Sequence, residues 1–131
     1  MKLKWKSEGM KTPMARAKGL GSAHDGAHHW MAERITSVAL VPLTLWFCWS
    51  IVSMAGADYF AFTGWLQQPI NAILMLLLVS VGIYHALMGC QVVIEDYIHH
   101  EGFKMIKLIG LKLFMAALGV ACVFSILKIA L

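Results

Sequence analysis

The sequence predicts an all-α membrane protein, a transmembrane bundle of three helices with a polar N-terminal tail. Of its 131 residues, 60% are hydrophobic and only 14% are charged, whereas about a quarter of the residues in soluble domains are charged. Three stretches are free or nearly free of charge, and each is long enough to cross a hydrocarbon core of about 30 Å as a helix. We therefore divide the chain into a tail, residues 1–28, and a three-helix membrane domain, residues 29–131.

The first span covers about residues 35–57, a stretch that contains no charge. Pro42 lies inside it and should bend the helix locally, because its ring removes one backbone donor and crowds the preceding turn. Residues 58–68 follow, with a glycine, two glutamines and aromatic rings suited to the membrane interface. We expect this segment to be a short connection.

The second span covers about residues 69–94, begins at a proline and ends before Glu95 and Asp96. Residues 95–105 are too charged to lie in hydrocarbon without costly partners, so they form the second loop. The third span covers about residues 106–129. Its charges are lysines near its ends, whose long side chains can reach the headgroups.

The basic residues are distributed unevenly about these spans. Six of the 11 Lys and Arg residues fall in the first 18 residues, and Arg34 and three lysines near the second loop lie on the same side of the membrane. Lys128 alone lies on the other side. The asymmetry predicts that the tail and the second loop face the cytoplasm across a bacterial inner membrane, with a mitochondrial inner membrane as the less favoured alternative. No groove-reading motif accompanies the basic cluster, so we expect contact with anionic lipid and not with nucleic acid.

The three cysteines are dispersed, one in each span, without a Cys-x-x-Cys pair or a histidine at zinc-ligand spacing. This pattern supports neither a disulfide framework nor a zinc site, and it gives the chain no means of holding an iron–sulfur cluster. We expect these cysteines to act as small apolar residues.

One histidine lies deep within a span. His85 precedes Glu95 by ten residues, which places it about 15 Å along a helix from the charged edge, near mid-membrane. Gly82 and Gly89 flank it, leaving room for a flat macrocycle whose iron the imidazole would ligate, with a second ligand from another chain. Alternatively, the imidazole hydrogen-bonds to a neighbouring helix and the glycines allow close packing. The residues alone leave both interpretations open.

Further candidates lie at the cytoplasmic membrane edge. Asp96 projects from the same helix face as His85, three turns further on, and Tyr97 follows it. A phenol can donate a hydrogen bond to a quinone carbonyl and a carboxylate can relay protons, although an ordinary interfacial tyrosine beside a helix-ending charge is the alternative. Arg34, at the start of the first span, could pair with haem propionates or reach the headgroups beside Trp30.

Two segments carry a family resemblance: HHWMAERITSVALVPL, residues 28–43, and HALMGCQVVIEDY, residues 85–97. They resemble the hydrophobic membrane-anchor subunit of succinate dehydrogenase, which is the smaller of the two anchors of respiratory complex II. The resemblance covers about residues 28–115 and leaves the tail unmatched. Two motifs of the larger anchor, Ser-x-x-His-Arg and His-Leu-x-x-Asp, are absent from the sequence, which favours the smaller anchor.

The resemblance implies roles for the candidate residues. His85 corresponds to an axial ligand of the iron of haem b, and the larger cytochrome b anchor supplies the other ligand. Arg34 corresponds to an arginine near the haem propionates. His28 corresponds to a propionate-facing histidine, with His29 as the alternative. The resemblance therefore implies a haem shared between two anchor subunits.

The resemblance also implies that Tyr97 hydrogen-bonds ubiquinone and that Asp96 lines the same site. The chain would then work in a complex whose flavoprotein and iron–sulfur subunits oxidise succinate and pass electrons to quinone, linking the tricarboxylic acid cycle to the respiratory chain. The anchor itself would have no catalytic residue. The rival interpretation is a haem-free structural or assembly subunit of a respiratory complex, in which His85 only hydrogen-bonds between helices.

Overall fold

The fold is that of a computed structural model, which describes residues 24–131 and, before them, four isolated positions: Thr12, Met14, Ala17 and Lys18. The predicted polar tail, residues 1–28, therefore lies mostly outside the described residues. Its division from the membrane domain at residue 28 stays a prediction.

Residues 24–131 form four helices: α1 (His24–Ser53), α2 (Tyr59–Leu66), α3 (Pro69–Tyr97) and α4 (Glu101–Ala130). No strand occurs among them. Helices α1, α3 and α4 contain 30, 29 and 30 residues, and each is long and apolar enough to cross a membrane. The predicted all-α architecture with three spans is confirmed. At 1.5 Å per residue each long helix measures about 45 Å, so it extends beyond a hydrocarbon core of about 30 Å.

The predicted short connection, residues 58–68, contains helix α2. Asp58 begins this helix as its N-cap, and its Oδ1 accepts a hydrogen bond of 2.8 Å from the N–H of Ala61. The ring of Trp65 stacks on that of Trp46 in α1, with ring centroids 5.7 Å apart. The stack joins α2 to α1, and α2 itself packs against α3 and α4.

A buried amide ties the start of α3 to α2. Nδ2 of Asn71 donates hydrogen bonds to the carbonyl of Trp65, at 2.9 Å, and to Oε1 of Gln68, at 3.1 Å. Asn71 is only 7% exposed, and a polar group is tolerated in such surroundings when it is hydrogen-bonded. The amide therefore fixes the angle at which the chain enters α3.

The three long helices pack as a row with α3 in the middle. Helices α1 and α4 each pack against α3 and, in the part of the chain that the structure describes, do not contact each other. Few described side chains are buried, namely those of Ser50, Leu66, Asn71, Ala72, Met88 and Ile126. An apolar surface as open as this is covered by lipid or by partner helices. The central helix α3 carries the candidate site.

Candidate functional site

His85 lies midway along α3. It is the 17th of the 29 residues of that helix, and its side chain is half-buried. Its Nδ1 lies 2.9 Å from Oγ1 of Thr36 in α1. His85 therefore makes a hydrogen bond between helices, which is one of the two roles that the sequence leaves open.

The surroundings of the Thr36 hydroxyl determine which partner donates in this hydrogen bond. Oγ1 lies 2.9 Å from the carbonyl oxygen of Ala32 and 3.0 Å from that of Glu33, one turn earlier in α1. Carbonyl oxygens only accept, so they can take the single hydroxyl proton, which would leave Oγ1 to accept a proton from Nδ1 of His85. The neutral imidazole then carries no proton on Nε2. Among the described residues Nε2 has no hydrogen-bond partner.

Gly82 and Gly89 lie one turn to either side of His85. A Cβ added to Gly82 would come within 3.9 Å of Cδ2 of Leu40 in α1, which is an ordinary contact. A Cβ added to Gly89 would meet nothing within 4 Å. Gly82 therefore lies where α1 and α3 approach each other, whereas Gly89 borders open space. At about 100° per residue both glycines lie on the same half of the α3 surface as His85.

Asp96 and Tyr97 are the last two residues of α3. Asp96 lies about 16 Å along the axis from His85 and within about 20° of it around the helix. Both side chains are exposed, Tyr97 at 78%, and neither makes a hydrogen bond to any other described residue. The end of α3 thus presents a carboxyl and a phenol that are open to a ligand or a partner chain.

Arg34 lies in α1, two positions before Thr36. At about 100° per residue the two side chains leave α1 on nearly opposite sides. The guanidinium carbon of Arg34 lies 5.5 Å from the centroid of the Trp30 ring, a cation–π contact. Within this chain, the structure does not bring Arg34 beside His85.

His28 lines a groove between α1 and α3 of about 310 Å³, which also receives His29, Tyr84 and Gln91. Tyr84 on the wall of this groove and Tyr97 project from α3 about 140° apart. His28 and Tyr97 are therefore not brought together in this chain. The groove combines imidazole, phenol and amide groups, which suit a polar headgroup or a carboxylate.

A larger cavity, of about 550 Å³, lies between α3 and α4. Its walls are almost entirely apolar, and Lys112 is the charged residue among them. Gly119 of α4 approaches Ile83 of α3 in this region, on the side of α3 away from Thr36. His85 does not line this cavity, so the cavity is separate from the site around His85.

Thr36 is not among the residues that the sequence singles out. The sequence offers one signal for it: a hydroxyl group within an apolar span. A hydroxyl in a helix can donate its proton to a carbonyl one turn earlier and still accept a hydrogen bond from another helix. That signal is weak, because the sequence does not show which residue of α1 faces His85. The site described by the structure is therefore the pair Thr36 and His85, with Gly89 beside it and Asp96 and Tyr97 at the end of the same helix.

Comparisons with known proteins agree with one another. A family model described as succinate dehydrogenase/fumarate reductase transmembrane subunit matches residues 8–127. The succinate dehydrogenase hydrophobic membrane anchor subunit of Rickettsia bellii is 37% identical over 113 residues, covering 86% of this chain and 90% of the relative. The same subunit of Rickettsia conorii is 32% identical, covering 88% and 93%, and that of Paracoccus denitrificans is 31% identical, covering 92% of each. No significant match to a solved structure was found.

Proposed function

Because the chain belongs to the succinate dehydrogenase/fumarate reductase transmembrane subunit family, we propose that it is the hydrophobic membrane-anchor subunit of a bacterial succinate dehydrogenase. The observation that carries the proposal is the match to bacterial anchor subunits over most of both chains. The three helices long enough to cross a membrane support the same role. The chain positions an enzyme at the membrane and contributes no residue to the oxidation of succinate.

The proposed partners are a flavoprotein subunit, an iron–sulfur subunit and a larger cytochrome b anchor subunit. Support for partner helices comes from the open row of α1, α3 and α4, in which large apolar side chains are exposed along their lengths. In a membrane such surfaces meet lipid or other helices, and small residues such as Gly89 allow the closest approach. We assign the face of α1 and α3 that includes Gly89 to the larger anchor and the remaining surface to lipid.

We assign His85 as one axial ligand of a haem b shared with the larger anchor. Three properties of the described residues fit that group: Nε2 of His85 has no hydrogen-bond partner among them, Gly89 borders open space, and His85 lies midway along a span. Within the described ranges no three His, Cys, Asp or Glu side chains gather as a metal site, so this chain would supply a single ligand. When bound, the haem accepts and returns one electron at a time. The imidazole would hold the iron at a fixed depth in the membrane.

Tyr97 and Asp96 are assigned to a ubiquinone site at the cytoplasmic end of α3. The Tyr97 hydroxyl would donate a hydrogen bond to a quinone carbonyl, whose oxygen gains negative charge as electrons arrive from the iron–sulfur subunit. Asp96 would pass one proton to the same oxygen, since quinol formation takes up two electrons and two protons, one proton at each carbonyl oxygen. The exposure of Tyr97 supports this assignment, because its hydroxyl is open to a ligand held between this chain and its partners.

Arg34 and His28 are assigned to the haem propionates. The guanidinium of Arg34 presents a fork of donors that matches a carboxylate, and His28 lies in the groove between α1 and α3. Neither side chain lies beside His85 within this chain. The assignment therefore requires the larger anchor to complete a site that extends around α1.

The hydrogen bond between His85 and Thr36 favours a second candidate function, that of a haem-free structural or assembly subunit. In that role the imidazole would only join α3 to α1. The bond occupies Nδ1 alone and leaves Nε2 unused, so the same geometry serves either function. The haem content of the purified complex separates the two.

Purification of the tagged chain from its native membranes in a mild detergent tests the proposed function. We expect a flavoprotein, an iron–sulfur protein and a second membrane anchor to co-purify in equal amounts, with a reduced-minus-oxidised spectrum of b-type haem. A colourless complex of the same subunits would favour the haem-free candidate. A chain that purifies without these partners would contradict the anchor role.

The orientation of the chain is a further prediction. The excess of Lys and Arg on one side predicts that the N-terminus and the loop between α3 and α4 face the cytoplasm. Alkaline phosphatase, which is active only outside the cytoplasm, should therefore be active when fused after Leu131 and inactive when fused in the loop before α4. The reverse pattern would place Tyr97 on the side of the membrane away from the iron–sulfur subunit and would contradict the quinone assignment.

A further inference from the structure

We propose that Thr36 is the positioning residue of His85: its hydroxyl accepts the proton on Nδ1 and thereby holds the imidazole with Nε2 unprotonated. The consequence for iron ligation rests on the proposed function, because Nε2 acts as a ligand only if haem is bound. The protonation of the ring does not rest on it. These two parts are tested separately.

The first step of the argument is the state of the hydroxyl. Thr36 Oγ1 lies within 3.0 Å of two carbonyl oxygens of its own helix, those of Ala32 and Glu33. Its proton is directed to these acceptors, so its lone pairs are left for a donor. Nδ1 of His85, at 2.9 Å, is the nitrogen that faces it. Thr36 thus acts as an acceptor that is oriented by α1 before α3 packs against it.

The second step is the effect on the imidazole. A neutral histidine has two forms, and a hydrogen bond donated from Nδ1 selects the form whose Nε2 lone pair is free. A histidine that ligates a metal usually donates its other ring proton to an oxygen acceptor, which fixes the ring plane and raises the basicity of the ligand. The Thr36 hydroxyl would supply that acceptor across the helix interface. Without it, the proton could move to Nε2 and block ligation.

The third step is the rigidity of the pair. Gly82 of α3 lies against Leu40 of α1, three residues from His85 in α3 and four residues from Thr36 in α1. The close approach keeps hydroxyl and imidazole within hydrogen-bond distance. The direction of the His85 ring is therefore set by α1 as well as by its own helix.

Thr44 provides a matched control on the same helix. Its Oγ1 bonds to the carbonyl oxygens of Leu40 and Val41, at 2.7 and 3.0 Å, in the same way as Thr36 bonds to its own turn. Thr44 is exposed and its hydroxyl has no partner from another helix among the described residues. The Thr44→Val change therefore removes a hydroxyl that bonds to its own helix turn, as Thr36→Val does, but it removes no hydrogen bond to a histidine.

The first experiment compares Thr36→Val, Thr36→Ser and Thr44→Val in the purified complex, reading haem content, midpoint potential and reduced spectrum. Loss of an outer partner of a metal ligand typically weakens metal binding about 10- to 100-fold, so we expect Thr36→Val to retain haem less well. Its midpoint potential should rise, because a less basic imidazole stabilises the oxidised iron less. Thr36→Ser should restore both properties, and Thr44→Val should behave as the wild type.

Two results would overturn the proposal. In the first, Thr36→Val keeps the haem content, potential and spectrum of the wild type. In the second, Thr36→Ser fails to restore what Thr36→Val has lost, which would show that packing and not the hydroxyl is responsible. Co-purification of the partner subunits is measured for each variant, so loss of assembly is recognised independently.

The second experiment detects the ring proton directly in the complex without haem. Nitrogen-15 spectra of histidine-labelled complex from haem-deficient cells should show His85, identified by its absence in His85→Gln, with the proton on Nδ1. Thr36→Val should lose this preference. A proton on Nε2 in the wild type would refute the role of Thr36, whatever the haem result. A wild-type complex that never contains haem would refute the assignment of His85 as a haem ligand, and the position of the ring proton alone would then decide the role of Thr36.

Discussion

The His85→Ala variant is expected to lose nearly all b-type haem from the purified complex. The methyl group of alanine offers no lone pair, so the proposed bond from residue 85 to the haem iron would be lost. The ring that fills the space between α3 and α1 is lost as well. The proposed haem would then be held by the ligand of the larger anchor and by contacts to its propionates alone. The measurement is the pyridine haemochrome content per mole of complex.

His99→Ala is the matched control for this loss. His99 lies in the loop between α3 and α4, is exposed, and makes no hydrogen bond to another described residue. It should therefore keep the wild-type haem content. The partner subunits should still co-purify with His85→Ala, since the surfaces that contact them extend over three helices. A complex that keeps its full haem content in His85→Ala would place the axial ligand outside this chain.

The spans could be predicted because a membrane imposes a strong constraint on sequence. A run of about 20 residues without charge can hardly be anything but a helix in lipid. The absence of charge misplaces the ends of the helices, because it marks where the chain leaves the hydrocarbon core and not where the helix stops. Helix α3 continues from residue 94 through Glu95 and Asp96 to Tyr97, because charged residues are compatible with a helix that has left the bilayer. Helix ends therefore need local capping signals in addition to hydropathy.

Helix α2 illustrates such a signal. Residues 58–68 contain Asp58, whose side chain caps the N–H of Ala61, and an aspartate before an aromatic and apolar run is a recognised start of a helix. The presence of glycine and two glutamines in this segment favours a loop by composition. The structure shows that the cap, together with the stacking of Trp65 on Trp46, outweighs composition.

The partner of His85 could not be predicted from the sequence. Periodicity indicates which residues share a face of one helix, so the alignment of His85, Gly89 and Asp96 follows from spacing alone. It does not indicate the rotation or the shift of α1 relative to α3, on which the contact with Thr36 depends. Arg34 is a similar case. Its position opposite Thr36 around α1 follows from spacing, but its distance from the proposed haem depends on how the larger anchor packs against this chain, which the sequence does not indicate.

The Tyr97→Phe variant is expected to reduce ubiquinone at least about 10-fold more slowly while oxidising succinate with artificial dyes at the wild-type rate. The variant keeps the ring and removes only the hydroxyl, which would be the donor to the quinone carbonyl. An acceptor left without its donor in a desolvated site costs about 1–3 kcal/mol, and 1.4 kcal/mol corresponds to about a tenfold change in rate. Dye reduction bypasses the membrane subunits, so the two assays separate the quinone step from succinate oxidation.

Tyr59→Phe supplies the control, since Tyr59 begins α2, is 70% exposed and lies at the other end of the bundle from Tyr97. It removes the same hydroxyl from a similar environment, so its quinone reduction should remain at the wild-type rate. If Tyr97→Phe reduces quinone as fast as Tyr59→Phe does, the phenol at the end of α3 is only an interfacial residue. If the rates of quinone reduction and of dye reduction both fall in Tyr97→Phe, the change has disturbed docking of the soluble subunits. Dyes take electrons before they reach quinone, so loss of a hydrogen bond to quinone alone would leave the rate of dye reduction unchanged.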